Sequence, residues 1–147
     1  MPFAEGPLEP DGDVSTLTMR EAVTAILVAA VAADGTIVEQ EAERLNALLP
    51  SMRVFRQTSA AHLQRLTETA LDIIGSTGPD ALLPACAEVI PESLRAPLFA
   101  LAVELVIVDG EVSQTETRFV DSLKSALGID DEIAANIIEV LLIKSRA

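Results

Sequence analysis

Residues 34–41 read DGTIVEQE and residues 109–116 read DGEVSQTE, so the chain contains one short pattern twice. Each copy has Asp-Gly, a β-branched residue two positions after the glycine, and Glu seven positions after the Asp. An apolar run precedes each copy, and a segment with amphipathic helical spacing follows it. Because glycine commonly ends helices, the repeat predicts two matching helix-turn-helix units.

The helices around the repeat are placed by their caps and apolar spacing. Thr18 and Ser113 each stand three residues before a glutamate, the capping-box arrangement that begins a helix. We expect the fifth helix, residues 92–108, to be the most enclosed element because it is apolar nearly all round. The first helix is predicted to bury one stripe, made by Val23, Ile26, Leu27, Ala30 and Val31.

Four further helices follow from the same signals. The second is predicted from residue 39 to residue 49, stopping before Pro50, and the third from Thr58 or Ser59 to Gly75. Residues 78–80 are predicted to open a short fourth helix toward Val89. A seventh helix after Asp130 is predicted to pack through Ile133, Ile137, Val140 and Leu141.

Composition favours helices over sheets. Half of the 147 residues are hydrophobic but only 3% are aromatic, and Ala, Leu, Val and Ile dominate. The sequence therefore predicts an all-α, single-domain bundle of about seven helices over residues 18–147. Residues 1–17 are rich in Pro, Gly and acids and are predicted to form a flexible acidic tail.

Charge and hydropathy exclude several classes of partner. A formal net charge of -13 argues against nucleic-acid binding, because phosphates are bound by Lys and Arg. Cations and basic proteins remain as partners. The apolar runs 22–33 and 96–108 are shorter than the ~20 residues that span a bilayer, so no transmembrane segment is predicted. A single cysteine and the absence of a signal-peptide pattern predict a cytoplasmic protein.

The repeated acids Asp34, Glu41, Asp109 and Glu116 are the candidate metal ligands. Each copy matches the glycine at position six and the glutamate at position twelve of a calcium loop, but positions one and three are apolar, which excludes an ordinary EF-hand. If the units pack about a pseudo-twofold axis, the four carboxylates can form one site for Ca²⁺, Mg²⁺ or Mn²⁺. The alternative is structural, with Glu116 in a capping box and the Asp residues bonded to turn amides.

The other residues that could bind a ligand or take part in a reaction occur singly in the sequence. Glu104 interrupts the fifth helix and is predicted to face solvent, with a ligand role or a basic partner as the alternatives. His62 is predicted at the surface and Cys86 as a small buried packing residue. Because no nucleophile-base motif or phosphate-binding loop occurs, we expect no enzyme activity.

The doubled Ala/Val-x-x-Asp-Gly-x-Ile/Val-x-x-x-Glu signature, the apolar helix before each copy and the LGID step at residues 127–130 resemble the TerB family of tellurite-resistance proteins. The resemblance covers residues 19–147. It implies an all-helical fold of pseudo-repeated helices whose acidic face, carrying Asp34, Glu41, Asp109 and Glu116, binds a metal ion. It also implies a place in a bacterial stress-response or tellurite-resistance complex with other proteins near the inner membrane.

Two functions are therefore expected. The first is a non-enzymatic stress-response module that binds a divalent metal and acts in a protein complex. The second is a metal-independent scaffold whose acidic surface binds a basic protein.

Overall fold

A computed structural model describes residues 17–33, 39–107 and 112–147, apart from the side chains of Gln40 and Glu41. These residues form seven α-helices and, within those ranges, no strand, which confirms the predicted all-α fold. Residues 1–16 of the predicted tail lie outside the described part, whereas Leu17 is buried in the core. The helices are α1 (Met19–Val31), α2 (Glu39–Ser51), α3 (Ala60–Thr77), α4 (Leu83–Glu88), α5 (Glu92–Val106), α6 (Gln114–Leu127) and α7 (Asp131–Ser145).

Helix α1 is the central element of the core. Its capping box is present as predicted: the Thr18 amide donates to Glu21 Oε1 at 2.8 Å, and the Glu21 amide donates to Thr18 Oγ1 at 3.2 Å. All residues from 21 to 31 are buried, so the predicted single stripe and the predicted greater enclosure of α5 were both wrong. The reason is the run of small side chains on α1, which lets α2, α3, α4, α5 and α6 all contact it.

Helices α2 and α3 both extend beyond their predicted ends. α2 continues through Pro50 to Ser51, because Leu49 is buried in the core and Pro50 lies in the last turn, where only one amide bond is lost. α3 begins at the Ser59 cap, as predicted, but passes through Gly75. An interior glycine costs only about 1 kcal/mol relative to alanine. The residue that ends α3 is Gly78, with φ of +87°.

The segments after α2 and α3 are compact. A short 3-10 helix, Arg53–Phe55, follows α2 and buries Phe55. Helix α4 begins at Leu83, later than predicted, because the Leu83 amide bonds to the Asp80 carbonyl in a turn. Pro84 occupies its first turn, where a missing amide donor is tolerated.

Helix α6 buries one face, whereas helix α7 packs differently from the prediction. α6 buries Phe119, Val120, Leu123 and Leu127 and ends at Gly128 with φ of +67°. In α7 the predicted inward positions Ile133 and Val140 were wrong, since both are exposed. The face of α7 that packs on the body of the protein consists of Ala134, Ile137, Ile138, Leu141 and Leu142.

The helix bounds repeat along the chain. α1 ends at Val31 and α5 at Val106, and α2 begins at Glu39 and α6 at Gln114, so each pair is separated by 75 residues. The contacts between helices repeat in the same way. α1 packs on α5, α1 also contacts α6, and α5 also contacts α2. The two helix-turn-helix units are therefore packed against each other through their first helices.

We predict that Ala29→Leu destabilises the protein by about 1–3 kcal/mol. Ala29 is fully enclosed on α1, so a larger side chain must displace neighbouring helices. Ala61→Leu, at an exposed position of α3, is the matched control and should change the free energy of unfolding by less than about 0.5 kcal/mol. Urea unfolding followed by circular dichroism measures both, and equal small effects would contradict the packing described for α1.

Candidate metal centre

Glu116 begins helix α6 through a complete capping box. The Ser113 amide donates to Glu116 Oε1 at 2.9 Å, and the Glu116 amide donates to Ser113 Oγ at 3.1 Å. The glutamate is 7% exposed. Its capping role accounts for its burial and occupies Oε1.

Glu41 occupies the same place in the other unit. It is the third residue of α2, as Glu116 is the third residue of α6. Its side chain lies outside the described part of the structure, and so do Asp34 and Asp109 in the two turns. The two glutamates therefore occupy the same position in their helices. The distances among the four carboxylates involve residues outside the described part of the structure.

The surrounding helices connect the two halves of the candidate site. Residues 32–38 join α1 to α2, and residues 107–113 join α5 to α6. These four helices contact one another across the units through the pairs α1–α5, α1–α6 and α2–α5. Among the residues whose side chains are described, no group of three or more His, Cys, Asp or Glu is close enough to hold a metal ion.

Comparison with known protein families matches residues 20–138 to the model of tellurite resistance protein TerB. The chain belongs to the TerB family. The match spans most of the 147 residues and confirms the resemblance found in the repeated signature. No curated protein and no solved structure matches the chain at a significant level.

Glu104 of this TerB-family chain forms an ion pair within the protein. The structure places Glu104 Oε2 2.5 Å from Lys144 Nζ, which links α5 to α7. The Glu104 side chain is 32% exposed, so it is less solvent-facing than predicted. Its carboxylate has a cationic partner inside the same molecule.

The surroundings of Cys86 are those of a packing residue. Cys86 is fully buried on α4, which confirms its predicted packing role, and burial raises the pKa of its thiol to about 12. The thiolate that nucleophilic chemistry requires is therefore scarce at neutral pH. His62 lies in the first turn of α3, where its amide donates to Ser59 Oγ at 3.1 Å.

Two arginines that the sequence analysis did not single out hold the ends of the units. Arg95 donates to the carbonyls of Ala87, Ile90 and Leu127, which ties the start of α5 to the ends of α4 and α6. Arg20, 75 residues earlier, donates to the Val54 carbonyl just after α2. The sequence contains an indication of this shared role, because Arg20 and Arg95 are separated by the same 75 residues as the two acidic repeats.

None of the helices in the described ranges combines the length and the apolar character needed to cross a lipid bilayer.

We predict that Ser113→Ala lowers the free energy of unfolding by about 1 kcal/mol in the presence of a chelator. The change removes the hydroxyl that accepts a hydrogen bond from the Glu116 amide. Loss of an N-cap side chain typically lowers the free energy of unfolding by about 1 kcal/mol. Thr115→Ala, exposed in the same turn, is the control and should have a much smaller effect. An unchanged melting temperature for Ser113→Ala would show that the cap does not hold the start of α6.

Proposed function

We propose that this TerB-family chain is a non-enzymatic binding module of a stress-response assembly of the tellurite-resistance type. In this proposal, Asp34, Glu41, Asp109 and Glu116 hold one divalent cation between the two turns. The cation adjusts the stability of the module, and the acidic surface around it contacts other proteins of the assembly.

The observation that carries the proposal is that the two acidic repeats connect helices of two units that pack against each other. Glu41 and Glu116 are each the third residue of their helix, and Asp34 and Asp109 lie seven residues before them. The helices that hold these turns contact each other across the units. This arrangement supports an approach of the two turns, which is what a shared site requires.

The ligand chemistry favours a hard cation. Four carboxylates offer only oxygen donors, which suit Ca²⁺, Mg²⁺ and Mn²⁺ better than soft metals. The capping box of Glu116 is compatible with this role, because Ser113 occupies Oε1 and Oε2 is the oxygen that would serve a cation. A net charge of -13 further favours cation binding over anion binding.

Absence of catalysis, the cytoplasmic location and the partners are part of the same proposal. The buried Cys86, with its raised pKa, supports a non-catalytic role. A single cysteine suits a reducing compartment. The place in a bacterial complex of stress-response proteins near the inner membrane is proposed because the resemblance to TerB proteins implies it.

Metal titration of chelator-stripped protein tests the proposal. We expect Ca²⁺, Mg²⁺ or Mn²⁺ to raise the melting temperature, with one ion bound per chain by calorimetry. A ligand present at about 100 times its dissociation constant stabilises the folded state by about 2.7 kcal/mol. Asp34→Asn and Asp109→Asn should each abolish the response, because each turn supplies half of one site. Asp72→Asn, exposed on α3, is the control and should retain it.

Glu116→Gln separates the structural role from the metal role. Glutamine at this position preserves a capping box, so the stability of the metal-free protein should change little. The proposal requires that the same variant lose its response to the cation. A full response in Glu116→Gln, Asp34→Asn and Asp109→Asn would contradict it.

The second candidate is a metal-independent acidic scaffold that binds a basic protein. The complete capping box of Glu116 favours it, since this glutamate is already bonded without a cation. Under this alternative no divalent ion changes the melting temperature of any variant, and a basic partner co-purified from the native host binds with strong dependence on salt.

A further inference from the structure

Helix α7 has two apolar faces, and only one of them is covered. Ala134, Ile137, Ile138, Leu141 and Leu142 pack against the core. On the other face Ile133 is 48% exposed, Val140 61% and Ile143 53%. Five large apolar side chains are exposed among the described residues, and three of them lie on this one helix. A helix that is apolar on both sides is normally enclosed, whereas no element of the described ranges covers the outward face of α7.

The spacing of this outward face is that of a coiled-coil seam. Ile133, Asn136, Val140 and Ile143 follow one another in steps of three, four and three residues, which is the a and d pattern of a heptad. The set is symmetric about residue 138. In an antiparallel pair of identical helices, Ile133 therefore packs against Ile143 of the second copy, and Asn136 against Val140.

The charges along α7 favour the antiparallel direction. Asp130, Asp131 and Glu132 stand at its N-terminus, and Lys144 and Arg146 at its C-terminus. Antiparallel helices place each acidic end beside a basic end, whereas parallel helices place like charges together. Lys144 is already paired with Glu104, so the main intermolecular pair joins Glu132 to Arg146 of the second copy.

We propose that the outward face of α7, defined by Ile133, Asn136, Val140 and Ile143, is a self-association surface that binds the same face of a second copy in antiparallel orientation. The surface is self-complementary in both its apolar spacing and its charge. None of its residues belongs to the two acidic repeats, so the proposed dimer requires no metal ion.

The size of the surface sets the strength of the dimer. A helix of 15 residues is about 22 Å long. One such helix buries less than the roughly 800 Å² per partner that is usual for stable complexes. The dimer therefore dissociates on dilution. Repulsion between the Glu139 side chains of the two copies, which lie near the twofold axis, weakens it further.

Analytical ultracentrifugation of the full chain in a chelator, from about 5 µM to about 500 µM, tests the proposal. We expect a reversible monomer–dimer equilibrium. Val140→Asp should abolish the dimer over this range without lowering the melting temperature, because the side chain is exposed in the monomer. Leu71→Asp, at an exposed apolar position of α3, is the matched control and should dimerise like the parent protein.

Charge variants test the orientation. Glu132→Arg and Arg146→Glu should each weaken the dimer about tenfold, and the double variant should restore it, because the two residues face each other across the interface. Glu139→Gln should strengthen it. A protein that stays monomeric throughout the range, a dimer unaffected by Val140→Asp, or a double variant weaker than both single variants would overturn the proposal.

Discussion

Close packing around helix α1 is the constraint on which the rest of the structure depends. Residues 21–31 of this helix are all buried, and several of them are alanines that leave no room for larger side chains. Five other helices reach the core by contacting α1. Because α5 is one of them, the packing also places the two acidic helix-turn-helix units side by side, which is the arrangement that the proposed metal centre needs.

Sequence motifs predicted helix ends correctly where the interactions that fix the end involve residues only a few positions apart. The capping boxes at Thr18 and Ser113 are formed as expected, and Gly128 ends α6 in the left-handed conformation. Predictions failed where tertiary contacts decide. Burial of Leu49 carries α2 through a proline. The two apolar faces of α7 cannot be ranked by spacing alone, since both have a helical period.

The candidate site was predictable in composition but not in geometry. The repeat identified Glu116 as both a capping residue and a ligand candidate, and the structure shows its capping bonds. The role of Arg95 was not predicted because its three acceptors are backbone carbonyls, which a side-chain motif does not identify, and only its 75-residue spacing from Arg20 indicates it. Its spacing from Arg20 shows that the internal repeat includes the residues that hold the helix ends as well as the acids.

We propose that packing of α1 on α5 brings the two acidic turns together. A spin-label distance between Thr36→Cys and Glu111→Cys in one molecule tests it most directly. Buried Cys86, whose pKa is raised to about 12, should remain unlabelled. A shared cation predicts a distance below about 20 Å, since its ligands lie within about 2.6 Å of it. A distance above about 30 Å, twice the radius of gyration expected for a domain of this length, would contradict a shared site.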